Sequence, residues 1–150
     1  MRALIQRVSQ ASVVIEGTTV SAIGPGLLVL LGVAEGDTAA DREWLARKVA
    51  NLRIFNDPDG VMNHSLLDTG GDLIVVSQFT LLAATKKGNR PSYIKAAGPE
   101  EAIPQYEAFV SDMEALIGKP VGTGAFGADM KVSLTNDGPV TIWIDSRNRE

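Results

Sequence analysis

The chain contains no cysteine. That single absence excludes disulfides, zinc fingers and thiol nucleophiles together, and it fits a reducing compartment. Histidine is almost absent as well. The one residue, His64, sits in the polar stretch "VMNHSLLD", so a Ser-His-Asp triad would have to use it. No set of His, Cys or carboxylate residues has metal-ligand spacing, and Asp57 and Asp59 in "FNDPDG" read as turn residues. "GPGLLVLLG" lacks the Gly-Lys-Ser/Thr ending of a phosphate loop, and no Gly-x-Ser-x-Gly elbow is present. Neither a cofactor nor a metal is expected. Long apolar runs are missing too: "MRALIQRVSQ" has no secretory core, and nothing approaches a membrane span. A cytoplasmic protein away from membranes is the expectation. Finally, there is no excess of positive charge, with 14 Lys and Arg against 18 Asp and Glu, a net −4. Proteins that coat nucleic acid carry the opposite sign, so any such contact should be local. One patch qualifies: "TKKGNRPSYIK", with Lys86, Lys87, Arg90 and Lys95, reads either as a solvated loop or as a local contact.

What is present suits one ordinary domain. The 150 residues are 45% hydrophobic and 21% charged, enough for a real core. Strands are predicted over 2–8, 12–16 and 18–23, the last two joined at Glu16-Gly17, and over the wholly apolar 27–33. Asp37 and Thr38 offer caps for a helix to about Asn51, with Trp44, Leu45, Val49 and Leu52 on one stripe. A strand is predicted over 72–81. A second helix runs from near Pro99 to about Gly118, its stripe being Ile103, Tyr106, Phe109, Val110, Met113, Leu116 and Ile117, with Pro104 in or near the first turn. Strands at 130–135 and 140–145 close the chain. This order predicts a single α+β domain over 1–150: a curled, mostly antiparallel sheet or partial β-barrel covered by two helices.

Two stretches could carry chemistry. "SQFTL", Ser77 to Leu81, follows the buried run Leu73 to Val76. Polar residues at such a strand end can line a pocket, and backbone N–H groups freed where pairing stops can form an oxyanion site without an acid or a base. The plain alternative is a strand with ordinary Ser and Thr. "TNDGPVTIWID", Thr135 to Asp145, holds Asn136-Asp137-Gly138-Pro139 between two apolar alternations. By residue type this is a turn; a working Gly-Pro peptide is the other reading.

Together, "SQFTL" at 77–81 and "NDGPVT" at 136–141 resemble the two signature motifs of the D-aminoacyl-tRNA deacylase (D-tyrosyl-tRNA deacylase) family. The resemblance covers almost the whole chain, through "LIQRV" (4–8), "GLLVLLGV" (26–33), "LRIF" (52–55), "KKGNRPS" (86–92) and "FGADMKVSL" (126–134). It implies a homodimer that hydrolyses the ester joining a D-amino acid to the 3′-terminal adenosine of tRNA. It implies a cis Gly138-Pro139 peptide reaching into the partner's pocket, where its carbonyls accept the substrate ammonium and its backbone excludes L side chains. Arg7 resembles the position that braces this loop. The amides around Phe79 and Thr80 would polarise the ester, with Ser77 and Gln78 shaping the pocket and Phe126 and Met130 packing on the adenine. No side chain is the implied nucleophile; the adenosine 2′-hydroxyl helps to activate water. The rival readings are a small-molecule esterase using Thr80 or Ser77, and a non-catalytic module that binds an RNA end.

Overall fold

In the computed structural model, which describes Met1 to Glu150, one long strand organises the sheet. β1 (Arg2–Ile15) pairs antiparallel through its first half with β3 (Gly26–Gly32) and through its second half with β2 (Thr18–Ile23). Its other edge is held by β8 (Lys131–Asp145). The two strands predicted at 2–8 and 12–16 are therefore one, because Gln10 still pairs with Thr135 where a break was expected. Register shifts around Val8 turn the strand. Ala3 and Ile5 consequently enter the main core, whereas Ala11 and Val13 enter a second, smaller one. The predicted hairpin at Glu16-Gly17 is present, with φ of 49° and 77°, the positive values that a two-residue primed turn requires.

β3 pairs in parallel with β6 (Asp72–Ser77), and β6 in parallel with β7 (Gly122–Thr123). Each parallel pair is bridged by a helix: α1 (Ala39–Asn51) lies between β3 and β6, and α3 (Pro99–Ile117) between β6 and β7. Two crossovers are thus embedded in a sheet whose other pairings are antiparallel. At the far edge the Thr123 amide donates to Ser21 Oγ at 2.9 Å, so β7 docks on β2 and the curl almost closes. The curled α+β architecture with covering helices is as the sequence predicts.

α1 starts at Thr38, whose side chain and Asp41 form a reciprocal capping box. Asp37, the other expected cap, is buried instead; it accepts from the Ala34 amide at 2.7 Å and pairs with Arg147 at 3.0 Å. The buried face of α1 is Leu45, Ala46, Val49 and Ala50, with Trp44 and Leu52 only partly covered. α3 buries Ala102, Tyr106, Phe109 and Met113, and ends at Gly118 with φ 72°. Pro99 opens α3, which places Pro104 just past the first turn, near it as expected. "FNDPDG" is the turn of a small hairpin, β4 (Phe55–Asn56) with β5 (Met62–His64), followed by the short α2 (Leu66–Thr69).

The main core lies between the helices and one sheet face. On the other face Val8, Leu28, Ile74 and Val76 pack against Met130, just ahead of β8, and against Val132 and Leu134 at its start. The same face carries a row running Trp143, Leu4, Leu30, Val76 across β8, β1, β3 and β6. Trp143 at the end of that row is 49% exposed.

Candidate active site

β6 buries Leu73 to Val76 completely, then stops at Ser77, short of the predicted end at 81. The last rung is Ser77 opposite Leu31, after which the Gln78 amide donates to the Leu31 carbonyl at 2.7 Å. Phe79–Leu82 then form a 3-10 turn, tied by Leu81 N–H to the Gln78 carbonyl and by buried Leu82. "SQFTL" is accordingly the junction between a strand and a helical turn, not the end of a strand over 72–81. The junction leaves amides free: Phe79 and Thr80 open the turn, where no intrahelical acceptor exists, and neither takes part in the turn and cap hydrogen bonds. The Gln78 side-chain amide donates to Thr80 Oγ1, so the Thr80 hydroxyl faces a neutral amide rather than a base.

The turn borders a cavity of about 540 Å³ lined by Ser77, Gln78, Phe79, Phe126 and Met130, with Val76 and Val132 on its floor. Five of the sequence-predicted residues thus meet in one place. Gly124 makes room for one of them, because a Cβ there would overlap Met130 Sδ. Asp129 is the one ionisable residue on the wall, and it is exposed and paired with Lys131 at 3.0 Å. His64 is absent from this wall; its Nδ1 sits 3.9 Å from Asp68 Oδ2 beside the β4–β5 hairpin.

A side chain that sequence reasoning missed holds the turn from behind. Arg2 donates from Nη1 to the Leu81 carbonyl at 2.9 Å and from Nε to Asp145 Oδ2 at 2.9 Å. Its guanidinium lies 5.5 Å from the centre of the Trp143 ring. Asp145 is held below the ordinary carboxylate range: partial burial acts to raise it, and hydrogen bonds from the Arg147 amide and Arg2 outweigh that. No sequence signal marks Arg2, because its partner is a backbone carbonyl 79 positions away.

The second motif lies elsewhere on the chain. Residues 131–136 and 141–145 do not form a hairpin with one another; both halves of β8 pair with β1, and Asp137 to Val140 bulge out opposite Arg7. Asn136 closes the base of this bulge, accepting from the Val140 amide at 3.0 Å and donating to Thr141 Oγ1 at 2.8 Å. Arg7 is buried beneath it. Its Nε donates to the Asp137 carbonyl at 2.9 Å and its Nη1 to the Ile54 carbonyl at 2.7 Å. The Gly138-Pro139 peptide is cis, Gly138 has φ 132°, and both residues are exposed. Gly138 lies three strand spacings, roughly 14 Å, to the side of Ser77 and about four residues along the sheet. Gly138, Pro139 and Arg7 do not line the cavity at the Phe79 turn.

Residues 4–145 match the family model described as D-Tyr-tRNA(Tyr) deacylase. The chain is 59% identical over its full length, and the relative's, to the D-aminoacyl-tRNA deacylase of Bacteroides thetaiotaomicron. It is 61% identical, again over all of both chains, to the protein of the same name from Flavobacterium johnsoniae. Among solved structures, the "c-Myc DNA Unwinding Element Binding Protein" superposes with a TM-score of 0.92 at 40% identity, over 97% of this chain and 98% of that one. A probable eukaryotic D-amino acid tRNA deacylase shares the fold at a TM-score of 0.80 and 18% identity, over 95% of this chain and 97% of that one.

Proposed function

This chain belongs to the D-Tyr-tRNA(Tyr) deacylase family, and on that premise we infer that it is a D-aminoacyl-tRNA deacylase, hydrolysing the ester between a D-amino acid and the 3′-terminal adenosine of tRNA. One observation carries the chemical reading: the Phe79 and Thr80 amides open a turn at the rim of a cavity whose wall holds no free acid or base. Such a site can stabilise a developing oxyanion with fixed N–H donors. It cannot deprotonate a Thr or Ser nucleophile, which needs an adjacent base. Water is therefore the nucleophile, assisted by the 2′-hydroxyl of the terminal adenosine. Ser77 and Gln78 shape the pocket, and Phe126 and Met130 pack on the adenine.

Chirality is read by Gly138 and Pro139 of a second copy. Their carbonyls accept the substrate ammonium, and their backbone closes the side on which an L side chain would project. Two features support a dimeric site: the bulge is exposed and remote from its own chain's cavity, and the apolar row beside it ends in Trp143, which is half exposed. Arg7 braces the bulge from within. The 150 residues act as one domain. No helix is long and apolar enough to cross a membrane, and the cytoplasm, where tRNA is charged, is the proposed place of action.

The test is release of labelled D-tyrosine from D-tyrosyl-tRNA, with L-tyrosyl-tRNA as control and with a tRNA ending in 2′-deoxyadenosine as a third substrate. The expected order is fast for the D-ester, very slow for its deoxy counterpart, and none for the L-ester. Equal single-turnover rates for the ribo and deoxy esters would rule out assistance from the RNA.

A further inference from the structure

We propose that the loop Ala83–Lys95, together with the Phe79–Tyr93 aromatic pair, is a docking surface for the single-stranded 3′ tail of tRNA upstream of the terminal adenosine. The proposal rests on the deacylase reading, because the tail is the segment that must approach when the terminal ester occupies the cavity. Three observations lead to it. From Leu73 to Pro99 the chain contains no Asp or Glu, although acids outnumber bases overall. Within that span Lys86, Lys87, Arg90 and Lys95 are all exposed, and none enters an ion pair. Unpaired cations clustered on an acidic protein are a local site for phosphates, not a general coat.

The loop is also anchored. Ala84 and Ser92 exchange both backbone hydrogen bonds, at 2.8 and 3.0 Å, which closes the base of the lobe two residues after the Phe79–Leu82 turn. Across its base Phe79 and Tyr93 meet edge to face, with ring centres 4.9 Å apart. Phe79 is 54% exposed and Tyr93 36%. An exposed ring at the cavity rim with a second exposed ring against it, next to unpaired cations, supplies the two components of a single-strand platform: bases stack on the rings while cations follow the phosphates. The cavity takes the adenosine, the rings take the preceding base, and Lys86, Lys87 and Arg90 take the phosphates beyond it.

The test compares the wild-type protein with the triple variant Lys86→Ala/Lys87→Ala/Arg90→Ala. Three readouts are used: hydrolysis of D-tyrosyl-tRNA, hydrolysis of D-tyrosyl-adenosine, and binding of a fluorescent RNA oligonucleotide carrying the tRNA 3′ tail, each across a salt series. With the whole tRNA, KM should rise at least tenfold with kcat little changed. The slope of log affinity for the oligonucleotide against log salt should shrink by about 2, since each single-strand phosphate contact contributes ~0.7. Turnover of D-tyrosyl-adenosine should be unchanged. Unaltered oligonucleotide binding and salt slope in the variant would overturn the surface while leaving the deacylase reading intact. Equal losses with both substrates would overturn it as well, by showing that the loop only supports the turn. A wild-type protein that binds the oligonucleotide with this salt dependence but hydrolyses neither ester would instead sink the deacylase reading and leave the surface standing.

Discussion

At the scale of single residues, the decisive fact is which groups lack a partner able to move a proton. Thr80 Oγ1 accepts from the Gln78 side-chain amide, a neutral group that cannot take its proton. Thr80→Ala should therefore keep kcat/KM within about tenfold of wild type; a loss above ~3 kcal/mol of transition-state stabilisation, with the fold intact, would instead support a covalent route. Arg2 works at one remove, through the carbonyl of Leu81. A hydrogen bond from a charged donor contributes ~1.5–3 kcal/mol, so Arg2→Ala should lower kcat by roughly ten- to a hundredfold with KM little changed, as expected when the amides drift from the oxyanion position. Selection at Gly138 and Pro139 works by exclusion. Glycine has no side chain to strike that wall, and a site that rejects by collision cannot refuse a smaller ligand that keeps every polar contact. Glycyl-tRNA should be hydrolysed while L-alanyl-tRNA survives; equal persistence of the two would show that a D side chain is positively recognised.

At the scale of elements, the capping box of α1 gives a prediction with a definite sign. Asp41 is lowered to about 2 from 3.8: burial pushes it upward, and hydrogen bonds from the Thr38 amide and hydroxyl pull it down further. A depressed carboxyl contributes stability that is present above its unfolded value and lost as pH falls through the folded one. Asp41→Asn should accordingly lower the urea midpoint near neutral pH, and the gap to wild type should close as pH falls from 3.8 toward 2. Thr38→Ala should cost about 1 kcal/mol, or ~3 °C in Tm. A gap that stays constant over this range would remove Asp41 from the cap. Caps and stripes of this kind are local, and so were legible: both long helices and the Glu16-Gly17 hairpin stand where the sequence puts them. What was hidden depends on distant partners. β6 ends at Ser77 because its pairing with β3 ends there, not because Phe79 to Leu81 disfavour extension. β8 is a single strand because β1 lies alongside both halves, which no turn residue in "NDGP" could announce. The two site motifs were readable as chemistry, but their separation on one subunit followed only from the family resemblance, not from the residues themselves.

At the scale of the whole molecule, that separation makes a demand on assembly. If each working site joins the Phe79 turn of one copy to the Gly138-Pro139 bulge of another, defects in the two motifs must complement one another. Phe79→Pro removes an amide donor at the first position of a helical turn, where proline is tolerated, and loss of one such donor costs ~10²–10³ in kcat. Gly138→Ala adds a Cβ within 2.9 Å of Arg7 Nη2 and Val140 Cγ2, at a φ of 132° that side chains rarely adopt; it should disable the bulge. Each variant alone should be nearly inactive as a homodimer. In a mixed dimer, one site combines both defects and the other combines two intact motifs. Unfolding and refolding an equal mixture yields mixed dimers in half of the molecules, each with one good site in two. Activity should therefore return to about a quarter of wild type on a two-fold dimer, where mixing without subunit exchange restores nothing. Failure to recover activity after demonstrated exchange would mean that each chain reads chirality with its own bulge, and the cross-subunit site would have to be abandoned.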